Sequence, residues 1–399
     1  MMTLDWKATE KRVIDWRRDL HRHPELSHQE YWTTRYLIEQ LATFDGIDIS
    51  TPAPTGVVAY LRGKLPGPTI ALRADIDALP IVEQNHSDFD SQQSGVMHAC
   101  GHDGHSAMLL GAAALLSQLR DQLAGEVIFI FQRGEEMSPG GAKELVDSGC
   151  LNQAQMFFAL HLQPNLPSGQ IEIKPGIATA NRDTFHIEIT GRGGHSSMPQ
   201  LSIDPIVAAA AVVGALQSIV AREIDPRDTA VVSLCSLLCG DGTTARLPDS
   251  ASLCGTTRSF TPQVREHLRT AMTRICHSTA QAYRCECDIR FDEWDYSAIN
   301  NDPQLCELAG RAARQALGAE AFHLATLPMS VGEDFSEYQQ IAPVCFAWLG
   351  VGQTARDNPA LHNACFSPDE RALIAGVRYY LQLAQQTGNL TAAAVDEIQ

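Results

Sequence analysis

A chain of 399 residues is longer than one hydrophobic core usually serves, so two domains are expected. Hydrophobic content of 44% with 19% charged residues is an ordinary globular composition and excludes a disordered chain. A formal charge of −17 argues against nucleic acid and anionic membrane surfaces as partners, and it requires that any anionic substrate meet local cations.

The opening stretch "MMTLDWKATEKRVIDW" has no apolar core of signal-peptide length, and no later run reads as a membrane span, which predicts a cytoplasmic protein. Eleven cysteines scattered through apolar segments predict reduced thiols, mostly buried. Cys285 and Cys287 alternate on a strand without a matching second pair and are read as packing.

Along the chain, "ATEKRVIDWRRDLHRHPEL" has helical spacing and ends at Pro24. "GVVAYLRG" and "TIALRADIDALPI" read as strands, the second breaking into Arg73, Asp75 and Asp77. The histidine-rich "MHACGHDGH" follows, read as loop or extended chain, and "SAMLLGAAALLSQL" then has apolar residues at helical intervals. "EVIFIFQ" is a continuous apolar strand running into "RGEEMSPGG", and "MFFALHLQP" is another whose far end releases His161. Open α/β sheets place ligand sites beyond the carboxyl ends of their strands, so acids and imidazoles are gathering at one sheet edge.

From 183 to 296 the order becomes β-α-β-β-α-β, which predicts an inserted ferredoxin-like domain. Residues 1–182 and 297–399 form the discontinuous remainder, an α/β domain. It resumes with the helix "DPQLCELAGRAARQAL" and the strand "VCFAWLGVG". The last helix is read as capped by Ser367, with Glu370 three positions on.

The chemistry is open at this point. "MHACGHDGH" fits a metal site, a thiol nucleophile (Cys100 with His102 or His105 as base), or a polar loop. His98, His102 and His105 cannot all be ligands, and two of them support the loop. Adjacent Glu135 and Glu136 diverge on strand or loop geometry, so one can hold an ion while the other faces a water. His161 and His362 are the remaining imidazoles placed after strand-like stretches.

Taken together, "RADIDALPI", "MHACGHDGH", "GEE" with "GGAKELVDSG", "ALHLQP", "GRGGHSSMP", "LCGTTRSF", "VGEDF" and "ALHNACF" occur in the order found in the M20 metallopeptidase family. They resemble its amidohydrolase branch of hippurate hydrolases, N-acyl-amino-acid amidohydrolases and auxin-conjugate hydrolases. The resemblance runs from about residue 10 to about residue 385.

It implies a catalytic domain holding two divalent ions (zinc, manganese, nickel or cobalt), with the insert as a lid that pairs the chain into a homodimer. Cys100 would bridge the ions, His102 and His161 would hold one, and Glu136 and His362 the other. Glu135 would be the general base for a metal-bound water, and Asp77 would orient a ligand. His195 would stabilise the oxyanion, and Arg258 would bind the substrate carboxylate. The implied substrate is an N-acyl amino acid, with a dipeptidase or aminopeptidase of the same family as the near alternative. The chain departs from the family at "RGEE", at "ALHLQP" and at Arg246, which replaces an asparagine of the lid.

Overall fold

The computed structural model of the protein describes residues 4–293, 295–353 and 358–389. It is a mixed α/β structure of two compact units. One comprises Met1–Ala178, Ile299–Pro328 and Asp334–Gln399; the other comprises Thr179–Ala298 with Met329–Glu333.

The first unit is built on an eight-stranded sheet. Its order is Ile47–Ser50, Val57–Arg62, Ala124–Gln132, Leu65–Asp75, Met156–Pro167, Val344–Gly352, Ile171–Ile173 and Phe322–Leu324. The four central strands, from Ala124–Gln132 to Val344–Gly352, run parallel. They carry continuous apolar runs because both faces are covered; Val344–Gly352 is buried along its whole length. Helix His102–Gln118 is buried from His102 to Ser117 and packs against helices Trp6–Arg22 and Leu373–Gly388. Gly111 allows that approach: a Cβ there would lie 2.8 Å from side-chain carbons of both Val13 and Val377.

Several local expectations change. His102 is not on extended chain but is the first residue of its helix. Gly101, at φ 93°, makes a left-handed turn that an L side chain rarely adopts, and the helix starts directly after it. The strand carrying His161 does not end there but continues to Pro167. Asp369, not Ser367, caps the C-terminal helical segment, accepting from the Arg371 amide. Helix Tyr31–Leu41 has no side-chain cap and went unread.

The second unit has a four-stranded antiparallel sheet in the order Ala230–Cys239, Ser250–Ser259, Asn181–Thr190, Glu286–Phe291. Helices Pro205–Arg222 and Pro262–Ala282 each begin with proline after a capping residue, Asp204 and Thr261. Both bury apolar residues against Phe185, Ile187, Ile189 and Leu253. Pro205–Arg222 is long and apolar enough by composition to span a bilayer, at a mean hydropathy of 1.6, contrary to the expectation that no run would be. Its face of Ala208, Ala209, Val212, Leu216 and Ile219 is instead buried in this unit. The segment Met329–Glu333 rejoins the unit, its Val331 carbonyl accepting from the Ala180 amide at 3.0 Å.

Candidate metal centre

Asp75 closes a central parallel strand, and Asp77 lies two residues beyond it; both are fully buried. A buried carboxylate must be fully bonded. Asp77 accepts from the Ser27 hydroxyl at 2.6 Å and the Glu136 amide at 2.9 Å. It also receives His102 Nδ1, at 3.2 Å on its carboxylate and 2.9 Å on its carbonyl. One side chain therefore fixes both the ring of His102 and the backbone of Glu136. With its Nδ1–H donated to Asp77, His102 has Nε2 turned to the acids Asp75 and Glu136, where a cation can replace its second proton.

His161 is arranged in the same way. Its Nδ1 faces the Leu162 carbonyl at 2.8 Å, and Nε2 lies 3.6 Å from Cys100 Sγ. His362 Nε2 reaches the same sulfur at 3.3 Å and Glu136 Oε1 at 3.2 Å. His362 sits at φ 64°, a conformation uncommon for a non-glycine residue, held by its amide bonding to the Ala99 carbonyl at 2.8 Å. Glu136 Oε1 is 3.8 Å from His102 Nε2. Cys100, Glu136 and His362 offer ligand atoms all within 4.8 Å of one another, and so do His102, Glu135 and Glu136. Glu135 and Glu136, adjacent in sequence, thus meet the same imidazole.

His105 also lies close, one helical turn after His102, but both of its ring nitrogens are engaged. Nδ1 faces Asp75 at 2.5 Å, and Nε2 accepts from the Leu162 amide at 2.9 Å. Asp75 in turn pairs with Arg73 at 2.8 Å, and Arg73 with Asp334 at 2.8 Å. Arg73, Gln132 and Asp334 were not anticipated as parts of this network. The signal was present in an arginine inside an otherwise apolar strand, which needs buried acids around it. His98 is buried with both ring nitrogens unpartnered and joins none of the ligand groups.

The charge balance of the pocket is anionic. Burial works against a protonated His102, yet Asp75, Asp77 and Glu136 outweigh it and push the imidazole up to about 10. Burial, with Glu136, Glu135 and Asp75, drives the Cys100 thiol well above its usual value. His161 is held neutral by burial and by the neighbouring His105. Two buried ligand-type atoms, His102 Nε2 and Glu136 Oε1, meet only other ligand-type groups: His102 Nε2 lies 3.4 Å from Asp75 and 3.8 Å from Glu136, and Glu136 Oε1 lies 3.2 Å from His362. Buried donors converging in this way, beside a thiol and two further imidazoles, fit divalent cations that accept N, O and S ligands.

Residues 71–386 match the peptidase family M20/M25/M40. The chain belongs to that family. Among its relatives, the N-acetylcysteine deacetylase of Bacillus subtilis is 40% identical over 379 residues, 95% of this chain and 97% of that protein. The N-acyl-L-amino acid amidohydrolase of Geobacillus stearothermophilus is 44% identical over 290 residues, 73% and 78% of the two chains. A crystal structure of a dinuclear metal-binding M20 peptidase from Bacillus subtilis superposes with a TM-score of 0.80 at 36% identity, covering 95% of this chain and 98% of that one. This M20 protein is accordingly a metal-dependent hydrolase of amides.

His195 and Arg258 belong to the second unit. His195 lies on a two-residue strand paired with Arg246–Leu247, with Arg246 directly across from it. The imidazole Nδ1 bonds the Ser197 hydroxyl at 2.9 Å. Arg246, exposed, pairs with Asp249 at 2.7 Å. Arg258 lies on strand Ser250–Ser259, and its guanidinium donates to neutral oxygens, the carbonyls of Ser330 and Thr257 and the hydroxyl of Thr256.

Proposed function

We propose that the protein hydrolyses N-acyl amino acids to a carboxylate and a free amino acid. The observation that carries this reading is the convergence of five ligand side chains, Cys100, His102, Glu136, His161 and His362. Cys100, His102, Glu136, His161 and His362 would together hold two divalent ions. Bound there, the ions would supply Lewis-acid polarisation of the scissile carbonyl and of the attacking water. Glu135, beside His102 and Glu136, takes the proton of that water and returns it to the leaving amine. His195 donates to the developing oxyanion, and Arg258 binds the carboxylate of the amino-acid half.

The named relatives support an N-acyl amino acid substrate. A thermostable carboxypeptidase of Saccharolobus solfataricus, 37% identical over 390 residues, supports peptide substrates as a second reading. A cysteine-nucleophile mechanism is disfavoured, because burial and three carboxylates oppose the Cys100 thiolate in the absence of a cation.

The second unit is read as a ferredoxin-like lid, supported by its strand order and two helices. Its exposed apolar residues support pairing with a second copy, Ile206, Val207 and Val220 on one helix and Val231, Leu237 and Leu238 on an edge strand. Eleven free thiols support a reducing compartment, the cytoplasm.

The test is hydrolysis of N-acetyl, N-benzoyl and dipeptide substrates by protein stripped with chelator and reloaded with zinc, manganese, nickel or cobalt. Restored cleavage of N-acyl amino acids is expected. Indifference to chelation, with loss of activity on alkylating Cys100, would return the cysteine mechanism.

A further inference from the structure

Arg258 has a neighbour that the sequence did not single out. In the antiparallel pairing of Ser250–Ser259 with Asn181–Thr190, Arg258 stands directly opposite Arg182. Cross-strand partners point to the same face with their Cα atoms about 5 Å apart, and two like charges placed so destabilise a sheet unless something compensates them. In this unit the compensation is shared: Asp295 favours the charge of both guanidinium groups, and Asp183 also favours that of Arg258. The bonds of Arg258 go to neutral oxygens, and burial together with the Arg182 charge presses its guanidinium below the usual value.

Among the described residues Arg182 forms an ion pair with the buried Asp295 at 3.9 Å, within ion-pair range but beyond hydrogen-bond reach. That carboxylate is already bonded by the amide and hydroxyl of Thr184. The Arg182 guanidinium lies over the Tyr296 ring, 5.5 Å from its centroid, a packing that holds its position without neutralising it. The segment Met329–Glu333 adds to the fixing. Its Ser330 carbonyl takes the Nε–H of Arg258, and Gly332 abuts the Arg182 stem, a Cβ there coming within 3.1 Å of it. In a chain of charge −17, two adjacent, positioned guanidinium groups that share the single buried carboxylate of Asp295 on their face of the sheet are a site for further negative charge.

We infer that Arg182 and Arg258 together select substrates whose amino-acid half carries two carboxylates, that is, N-acyl aspartate or N-acyl glutamate. The inference rests on the N-acyl amino acid reading: with Arg258 on the α-carboxylate, Arg182 takes the side-chain carboxylate. A neutral side chain leaves Arg182 without its anion. Arg182 is a specificity residue and takes no part in bond breaking.

Metal-loaded protein is assayed on N-acetyl-L-glutamate and N-acetyl-L-methionine, and glutarate binding is measured separately by calorimetry. In Arg182→Gln, the ratio of kcat/KM for the acidic over the neutral substrate falls by about tenfold or more, mainly through KM. Glutarate binding weakens by a similar factor. Arg182→Lys, which keeps the charge, retains most of the ratio. An unchanged ratio in Arg182→Gln, with both substrates cleaved, overturns the inference and leaves the hydrolase reading standing. If wild-type protein cleaves neither substrate, the hydrolase reading fails. Glutarate then decides: unaltered binding in Arg182→Gln overturns the anion pair as well, and weakened binding sustains it.

Discussion

At the residue scale, the centre depends on side chains that leave one atom free by bonding the other. Asp77 is the main example, since it sets the ring of His102 and the backbone of Glu136 together. Asp77→Asn presents the wrong polarity to one of those donors. Metal affinity or turnover is expected to fall by about 10–100-fold, as for outer partners of metal-bound histidine, with the fold retained by circular dichroism. Glu135→Gln removes the proton acceptor and keeps the ligands. A loss of about 10²–10⁴ in kcat is expected while metal analysis still finds the ions bound. Near-normal turnover in that variant would remove Glu135 from its role.

A second residue-level prediction concerns the buried group beside the centre. Glu83 accepts from His21 at 3.0 Å, and His21 also faces Asp103 at 2.8 Å. Burial opposes ionisation of Glu83, but His21 and the Ser91 amide outweigh it and bring the carboxyl down to about 2. Burial and Arg17 oppose a charged His21, and Asp103 with Glu83 raise it above 6.5 nonetheless. The carboxylate's stabilising contribution is full above pH 4.5 and is lost as pH falls toward 2. That of the imidazolium is full below pH 6.5 and is lost as pH rises through its folded-state value. The difference in Tm between wild type and Glu83→Gln should therefore peak between pH 4.5 and 6.5 and shrink on either side. A flat difference across pH would show that the pair is not charged as described.

At the scale of elements, what the sequence made legible was what periodicity and apolar runs encode. The strands Ala124–Gln132 and Val344–Gly352 are such runs because their faces are buried, and both helices of the second unit announced themselves by proline after Asp204 and Thr261. Helix Tyr31–Leu41 lacks a side-chain cap and mixes threonines into its buried face, so nothing local marked it. The start of helix His102–Gln118 was hidden because its first turn is polar, and that turn is polar because it serves the centre. The same tension explains the site. Cysteine and histidine types were visible in "MHACGHDGH", but the difference between His102 and His105 lies in which ring nitrogens meet Asp77, Asp75 and the Leu162 amide. Those partners come from other strands. Gly111 offers a test of helix packing. Gly111→Val drives methyl groups into Val13 and Val377, and overpacking of about 1–3 kcal/mol outweighs the modest gain in helix propensity, below about 1 kcal/mol. Its Tm should fall; an unchanged Tm would mean the three helices part easily.

At the scale of the whole molecule, an anionic pocket of converging ligand atoms is relieved by a bound cation, so metal binding should add to the stability of the fold. Chelation should therefore lower Tm as well as abolish activity, and readdition of a divalent ion should restore both. A ligand at about 1,000 times its Kd adds about 4 kcal/mol, a shift readily seen in a thermal melt. Chelated protein that melts with the untreated protein, while remaining inactive, would confine the ions to chemistry alone.

The five residues Met329–Glu333 have a consequence for anyone who would exchange or isolate the smaller unit. The polypeptide crosses between the units four times, so an excision at Thr179 and Ala298 leaves part of that unit behind. The severed piece would lack the carbonyl that steadies Arg258 and the glycine that rests on Arg182. Exchanging this unit between relatives thus calls for transplanting a distant pentapeptide along with the insert, as a matched set.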